Sequence, residues 1–281
     1  MKIIVKLIIV TILLLVSKLN AQEFQGIATY KTKRQVDIKL DSTKIESAMQ
    51  KQIKEMLKKQ FEKTYTLRFN REESIYEEEE SLGTPTPGGM RIMSSSSSGG
   101  DIMFKNTKLK TYTNQNEFFG KVFLIQDDLK SIEWELGSET KNIGAYTCFK
   151  ATITKEVEVF KSSMTINGKK KDNEVKPKPT MKTQVTTAWY ATQIPVNTGP
   201  GEYFGLPGLI LEINDGSITI ICSKVVLNPE NKIDIEEPEN GKKVNQSEFD
   251  TITAKKIKEN QERYQSNGRG DGEHIEIRIG G

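Results

Sequence analysis

The chain reads GPGEYFGLPGLILEIN over residues 199–214. Proline followed by glycine occurs twice in this stretch, as Pro200-Gly201 and as Pro207-Gly208. The pair is typical of the two central positions of a type II turn, because proline presets φ and glycine accepts a positive φ. Apolar side chains lie between the two pairs and can anchor the turns to a core. The stretch therefore predicts a compact loop that packs on the core and leads into a strand at residues 209–213.

Stretches in which apolar and polar residues alternate surround this loop, and such alternation is typical of half-buried strands. They cover residues 26–32, 64–69, 74–79, 101–106, 108–114, 117–125, 131–136, 143–154, 185–193, 209–214 and 217–227. Asp215-Gly216 between the last two predicts a tight hairpin turn. The predicted fold class is mainly β, with some helix: a curved antiparallel meander sheet or half-barrel.

Two helices are predicted beside the sheet. Apolar residues from Ile45 to Phe61 recur at three- and four-residue spacing, which predicts an amphipathic helix that packs on the sheet with its lysines in solvent. A more polar helix is predicted over residues 247–263. A basic amphipathic helix on a membrane surface is the alternative interpretation of the first segment.

The first 21 residues have the three parts of a secretory signal. Lys2 and Lys6 precede an apolar run, and Ala21 is a small residue that suits a signal peptidase, so cleavage is expected between Ala21 and Gln22. Residues 22–265 are then predicted to form one β-rich domain, with flexible loops at residues 82–100 and 156–182. Residues 266–281 are predicted to be a glycine-rich tail.

The charge balance disfavours a nucleic-acid partner. The whole chain has 41 Lys+Arg and 38 Asp+Glu, a formal net charge of +3. Three of the lysines and none of the acids lie in the first 21 residues, so the remainder carries 38 of each. A nucleic-acid footprint requires an excess of Lys and Arg on one face. After signal cleavage, no segment is long and apolar enough to be expected to span a membrane.

The chain has two cysteines, Cys148 and Cys222, and one histidine. In an oxidising compartment two thiols can form a disulfide, and two separate buried thiols are the alternative. Two cysteines and one histidine are too few for a structural zinc site. We expect neither a metal nor another cofactor.

The loop motif is similar to that of a known family. The sequence GLPGLI is formed by Gly205, Leu206, Pro207, Gly208, Leu209 and Ile210. Residues upstream that support the resemblance include Trp189, Tyr190, Pro195, Gly199 and Pro200. The chain thus resembles the GLPGLI family of exported Gram-negative envelope proteins, with Ala145 at a position where that family suggests glycine. The resemblance implies export and carries no established biochemical activity.

Two classes of function follow as hypotheses. The first is a non-catalytic binding or accessory protein, periplasmic or associated with the outer membrane. It would use a groove or surface near the motif to bind an envelope protein or an apolar ligand. The second is a hydrolase that uses a carboxylate pair near the motif, drawn from Glu202, Glu212 and Asp215. The motif itself is either a rigid turn without a ligand or the rim of a groove.

Overall fold

A computed structural model describes the protein over residues 24–34, 62–79, 101–159, 162–166, 180–266 and 275–279. Three predictions lie wholly outside these residues: the signal segment, the N-terminal amphipathic helix and the flexible loop at residues 82–100. Of the predicted tail at 266–281, residues 266 and 275–279 are described, and the latter form a strand.

Fourteen strands and one helix make up the described part of the chain. The first six strands are β1 (Gly26–Arg34), β2 (Lys63–Phe69), β3 (Glu73–Glu78), β4 (Ile102–Asn106), β5 (Thr111–Phe118) and β6 (Lys121–Asp128). The next six are β7 (Glu135–Ile143), β8 (Tyr146–Val159), β9 (Ser162–Ile166), β10 (Thr180–Ala191), β11 (Leu209–Asn214) and β12 (Ile218–Leu227). The chain then forms β13 (Lys242–Val244), α1 (Gln246–Ser266) and β14 (Ile275–Ile279).

Twelve of these strands form one open sheet in the order β13-β6-β5-β4-β3-β2-β1-β12-β11-β10-β8-β7. Its first half is a meander from β1 to β6. The pairing of β1 with β12 joins this meander to the second half of the sheet. The prediction of a mainly β fold is therefore confirmed. The predicted antiparallel meander is a mixed sheet instead, because β13 pairs with β6 in parallel. That pairing brings Val244 into one apolar cluster with Phe118, Phe123 and Ile125.

Thr198, in the segment between β10 and β11, shows that the sheet curves strongly. Its carbonyl accepts a hydrogen bond from the Ile210 amide on β11 at 3.2 Å. Its hydroxyl lies 2.8 Å from the hydroxyl of Ser74 on β3. In a flat sheet, β3 and β11 would be four strand spacings, about 19 Å, apart. One threonine can reach both strands only because the sheet bends around it.

Both ends of the sheet carry features that oppose edge-to-edge association. β7 has a bulge where its register on β8 shifts between Leu136 and Thr140, and most of its side chains are exposed. β13 at the other end is three residues long. Short, bulged and charged edge strands pair poorly with other chains.

A tight turn at Phe119 and Gly120 divides the residues predicted to be one strand over 117–125. Phe119 has a φ of 50° and Gly120 a φ of 72°, so both central residues have the positive φ of a type I′ hairpin turn. The ring of Phe119 is 45% exposed and packs edge-on against Phe118 with centroids 4.7 Å apart. The sequence over 117–125 resembles one continuous strand because an apolar aromatic residue, Phe119, occupies the turn position that usually holds asparagine or aspartate.

The predicted hairpin forms, but its turn lies one residue later than predicted: the Asp215 amide donates to the Ile218 carbonyl at 3.2 Å, so Gly216 and Ser217 are the central residues. Gly216 has a φ of 88°, and the Asp215 carboxylate accepts hydrogen bonds from the amides of Ser217 and Ile218 at 2.8 and 2.7 Å. The region predicted as a flexible loop at 156–182 is paired strand at both ends, where Lys155 to Val159 face Thr180 to Gln184. Within it, β9 pairs with β14 as a separate two-stranded sheet.

The predicted C-terminal helix is confirmed as α1. Its first turn is closed by a reciprocal cap: Asn245 Oδ1 accepts from the Glu248 amide at 2.8 Å, and Glu248 Oε2 accepts from the Asn245 amide at 3.0 Å. Phe249 and Ile252 pack against the β5–β6 cluster. The helices that the structure describes include none with the length and hydropathy of a membrane span.

Candidate functional site: the 192–208 connection

Residues 192–208 link β10 to β11, and we call them the 192–208 connection. Its apolar side chains enter the interior: Ile194, Val196 and Leu206 are at most 4% exposed. Ile194 and Val196 join the larger core cluster with residues of β1, β2 and β8, whereas Leu206 joins a second cluster with residues of β8, β10 and β11. The connection is thus an interior part of the fold. Of the apolar side chains between the two proline–glycine pairs, Leu206 is buried, whereas Tyr203 and Phe204 are half-buried.

Neither of the two predicted type II turns forms with its proline and glycine at the two central positions. At the first, the Tyr203 amide donates to the Pro200 carbonyl at 3.2 Å, and Gly201 has the expected positive φ of 54°. Proline therefore occupies the position before the central pair. At the second, the Gly208 amide donates to the Leu206 carbonyl at 2.8 Å, which makes a three-residue turn centred on Pro207.

Gly208 is required for close packing of the backbone. A β-carbon on this residue would lie 2.6 Å from the carbonyl carbon of Ala191 and closer still to its carbonyl oxygen. Since real β-carbons do not approach backbone atoms this closely, only glycine fits. The positive φ in this part of the motif belongs to Gly205, at 92°.

Lys105 on β4 holds the middle of the connection. Its side chain is fully buried, and its Nζ donates to the carbonyls of Gly199 at 2.8 Å, Gly201 at 2.7 Å and Tyr203 at 3.1 Å. Burial lowers the pKa of Lys105 from 10.5 to about 7, an effect that the nearby Glu202 carboxylate opposes. Burying a charge is unfavourable unless its donors are satisfied, and three carbonyls match the three N–H groups of an ammonium.

Two further buried hydrogen bonds attach the connection and β11 to the first half of the sheet. The hydroxyls of Ser74 and Thr198 are 2.8 Å apart, and both residues are at most 4% exposed. Tyr30 on β1 donates its phenol hydrogen to the Ile210 carbonyl at 2.7 Å. Burial is the main reason that the pKa of Tyr30 is raised, so it stays a donor.

Trp134, just before β7, covers the outer side of the connection. Its Nε1 donates to the Phe204 carbonyl at 2.8 Å, and its ring lies 6.3 Å from that of Tyr203. Burial raises the pKa of Tyr203 to about 12. The contact joins the start of β7 to the six-residue motif.

The predicted site residues divide into buried and exposed groups. Leu206, Gly208, Leu209, Ile210, Tyr190, Gly199 and Pro200 are buried, and Trp189 is partly buried. Gly205, Pro207 and Pro195 are exposed. Most of the motif therefore has a packing role, as the rigid-turn interpretation expects, and of the exposed members Gly205 lies next to Trp134.

Of the three carboxylates of the hydrolase hypothesis, Glu202 and Asp215 both act on the Tyr203 phenol and help to raise its pKa. Glu212 binds Lys141 Nζ at 2.7 Å, and that ammonium lies 4.4 Å from the centre of the Trp189 ring. Asp215 holds the β11–β12 turn, and Glu202 is exposed at the tip of the connection. Within the described residues, no group of three or more His, Cys, Asp or Glu side chains is placed to hold a metal.

Replacing Asp215 with alanine is expected to destabilise the protein by about 2 kcal/mol, because the carboxylate accepts three hydrogen bonds within the turn. Glu202→Ala at the exposed tip is the matched control and should change stability by less than about 0.5 kcal/mol. Urea unfolding of both variants measures the difference. Equal losses in the two variants would contradict a turn-holding role for Asp215.

Cys148 and Cys222 are free thiols in the structure, and both are buried in the larger core cluster. Cys148 is on β8 and Cys222 on β12, with β10 and β11 between them. The curved sheet places both thiols in the same core cluster, and Cys148 acts electrostatically on Cys222. Burial raises the pKa of each thiol to about 11. Of the two expectations for the cysteines, the structure shows two separate buried thiols.

Sequence reasoning missed Lys105, Ser74 and Thr198 as the residues that hold the connection. In strand β4, alternation places Lys105 opposite to Phe104 and so predicts a solvent-facing lysine. Both are buried, because the connection covers the face that carries Lys105. A lysine in a strand whose neighbours are Phe104 and Asn106 gives no signal for such a role.

Residues 134–212, from Trp134 to Glu212, match a family described as "Protein of unknown function (Porph_ging)". The matched residues include the connection and the GLPGLI sequence. No curated protein matches the chain. The fold is similar to two solved structures of PNGF-II, in space groups C2 and P21. Their sequence identities are 13% and 14%, and their TM-scores are 0.45 and 0.44. The alignments cover 83% and 82% of this chain, which spans 33% of PNGF-II in both.

Proposed function

We propose that this chain is an exported envelope protein of the GLPGLI type that acts by binding another polypeptide. Its contact surface would be the exposed side of the 192–208 connection together with the start of β7. We call this surface the motif patch and define it by Glu202, Gly205, Pro207 and Leu136.

The observation that carries this proposal is that the connection fills the interior beside the motif. Ile194 is 0%, Leu206 1% and Val196 4% exposed, so side chains of the chain itself occupy the place that a groove for an apolar ligand would take. This arrangement favours a partner that binds on the surface over a ligand that enters the sheet.

The motif patch has the features of a small docking surface. Leu136 is 63% exposed, although it follows Trp134 by two residues and pairs with buried Ala151. Gly205 and Pro207 in the connection are exposed as well. An exposed apolar side chain on a rigid support is a common anchor in polypeptide recognition. Trp134 makes the support rigid through its hydrogen bond to Phe204.

The surroundings of the carboxylates favour binding over hydrolysis. Glu212 is engaged by Lys141, and Asp215 by the amides of its own turn. A carboxylate pair in acid–base catalysis needs two groups that face one reacting bond. Glu202 is the remaining candidate, and it lies on the motif patch.

Site-specific photocross-linking tests the proposal. A photoreactive residue at Leu136 in the full chain should give a discrete cross-linked product in the cell envelope fraction. The same residue at Leu109, a leucine 69% exposed on the β4–β5 turn, is the control and should not give it. If the signal is cleaved as expected, the copy of this chain recovered from the envelope fraction begins at Gln22. Equal products from both positions, or none from Leu136, would overturn the motif patch as a docking surface.

A further inference from the structure

Strands β8 and β10 continue as a two-stranded arm past the ends of their neighbours. Their pairing extends through residues 153–159 and 180–186, which we call the arm. β7 pairs with β8 no further than Thr152, and β11 pairs with β10 no further than Thr187. The outer edge of β8 in the arm therefore has no partner strand among the described residues.

The chain that precedes β7 turns away from this edge. The Trp134 amide donates to the Ile132 carbonyl at 3.0 Å, which makes a three-residue turn centred on Glu133. The Trp134 indole then binds the Phe204 carbonyl in the connection. These contacts bend the chain out of the line of β7, so residues 153–157 stay open on that side. An open strand edge offers its backbone N–H and C=O groups to an added strand.

One face of the arm carries positive charge beside the open edge. Lys155 and Lys182 are both exposed. In the strand register Lys182 faces Val157, which lies two residues from Lys155, so the three side chains share one face. Neither lysine makes an ion pair with another side chain in the described part of the chain. On the opposite face, Glu156 is engaged, because it accepts from the Thr183 hydroxyl at 2.5 Å.

The charges along the edge disfavour a second copy of this chain as the added strand. In a symmetric antiparallel pairing, one residue of the edge faces its own copy, and like charges directly opposite each other are destabilising. Pairing about Lys155 or about Glu156 therefore brings like charges together. Pairing about Thr154 would extend onto Thr152, which already pairs with Glu135 of β7. The added strand is thus expected to come from a different polypeptide.

We propose that the partner adds an extended segment to the edge of β8 over residues 153–157, and that this segment places an acidic side chain opposite Lys155. Its carboxylate supplies the counter-charge for the basic face of the arm. In strand addition, main-chain hydrogen bonds give affinity and side chains give selectivity. Leu136 pairs with Ala151, next to the start of this edge, so the end of the segment lies near the motif patch. This mode of binding rests on the proposed function, because it takes the partner to be a polypeptide.

Photocross-linking along the edge tests the strand addition. A photoreactive residue is placed at Thr154 or at Glu156 of the full chain, both of which are exposed. Each should cross-link to the same protein of the cell envelope fraction. Mass spectrometry should locate the two attachment points two residues apart in one segment of that protein, because paired strands advance in register. The same residue at Lys224, which is exposed on β12, is the control and should give no such product.

Charge reversal tests the acidic side chain. With the photoreactive residue at Thr154, Lys155→Glu should lower the yield about fivefold or more, because an opposite-charge pair becomes a like-charge pair. Lys224→Glu makes the same change of charge on β12 and should leave the yield unchanged. Replacing the facing acidic residue of the recovered protein with lysine should restore the yield in Lys155→Glu, which a merely structural role of Lys155 would not allow.

The outcomes separate this inference from the proposed function. A product from Leu136 with none from Thr154 would overturn strand addition and leave the motif patch as the docking surface. Products from Thr154 and Glu156 with none from Leu136 would do the reverse. A cross-link between two copies of this chain or to lipid, or equal yields from Lys155→Glu and Lys224→Glu, would overturn an acidic polypeptide as the added strand.

Discussion

Replacing Gly208 with alanine should lower the free energy of unfolding by about 3 kcal/mol or more, the upper range for forcing extra atoms into a packed interior. The new methyl group would lie 2.6 Å from the Ala191 carbonyl carbon and 2.8 Å from the Thr192 amide nitrogen. Neither the backbone at Gly208 nor the facing peptide of Ala191 and Thr192 can move away easily. Leu206 and Leu209 beside Gly208 are at most 1% exposed, and the Leu209 amide donates to Ile194 at 3.0 Å.

Gly201→Ala in the same connection is the matched control. No atom lies within 4 Å of the position that its methyl group would take, so the substitution adds only the strain of a positive φ of 54°. That strain is about 1–2 kcal/mol. Urea unfolding followed by tryptophan fluorescence compares the two variants. If Gly208→Ala lost no more stability than Gly201→Ala, close backbone packing would not be the reason for this glycine.

Raising the pH from 7 to 9 should stabilise the protein through Lys105. The pKa of this lysine is lowered from 10.5 to about 7 in the folded chain. Between these values the unfolded chain keeps the proton and the folded chain releases it, so the free energy of unfolding rises with pH. The expected gain is about 2 kcal/mol across the range.

Urea unfolding at pH 7, 8 and 9 measures this gain. The slope should disappear in Lys105→Met and remain in Lys108→Met. The range ends at pH 9 because Cys148 and Cys222, whose pKa burial raises from 9.0 to about 11, reverse the trend at higher pH. Their thiols ionise first in the unfolded chain, which lowers stability. Equal slopes in the unmodified chain and Lys105→Met would contradict the titration of Lys105.

Sequence pattern is sufficient where local chemistry and burial agree. Residues 209–214 are predicted as a strand and form β11 with the same bounds, because alternation ends at the Asp215-Gly216 turn. The helix predicted over residues 247–263 is α1, with a cap from Asn245 and Glu248 that side-chain chemistry favours. In both places the signal lies within a few neighbouring residues.

The pattern fails where distant parts of the chain decide burial. Residues 137–142 are almost entirely polar and give no strand signal, yet they form most of edge strand β7, which needs no buried face. Alternation predicts an exposed Lys105, because nothing near it in sequence shows that the connection covers it. Recognition of the motif locates the connection correctly, but the inward direction of Ile194, Val196 and Leu206 depends on the curvature of the whole sheet.

The pairing of β1 with β12 determines when the sheet can be completed. Gly26 faces Leu227, about 200 residues later in the chain, and contacts this distant in sequence are typical of slow folding. A growing chain presents β1 long before its partner exists. The meander from β2 to β6 can form meanwhile on one side of β1, whose other edge stays unpaired until β12 arrives. An unpaired strand edge is a template for association with other chains. The interval before the last third of the chain is available is therefore the period in which this protein is most exposed to misassembly.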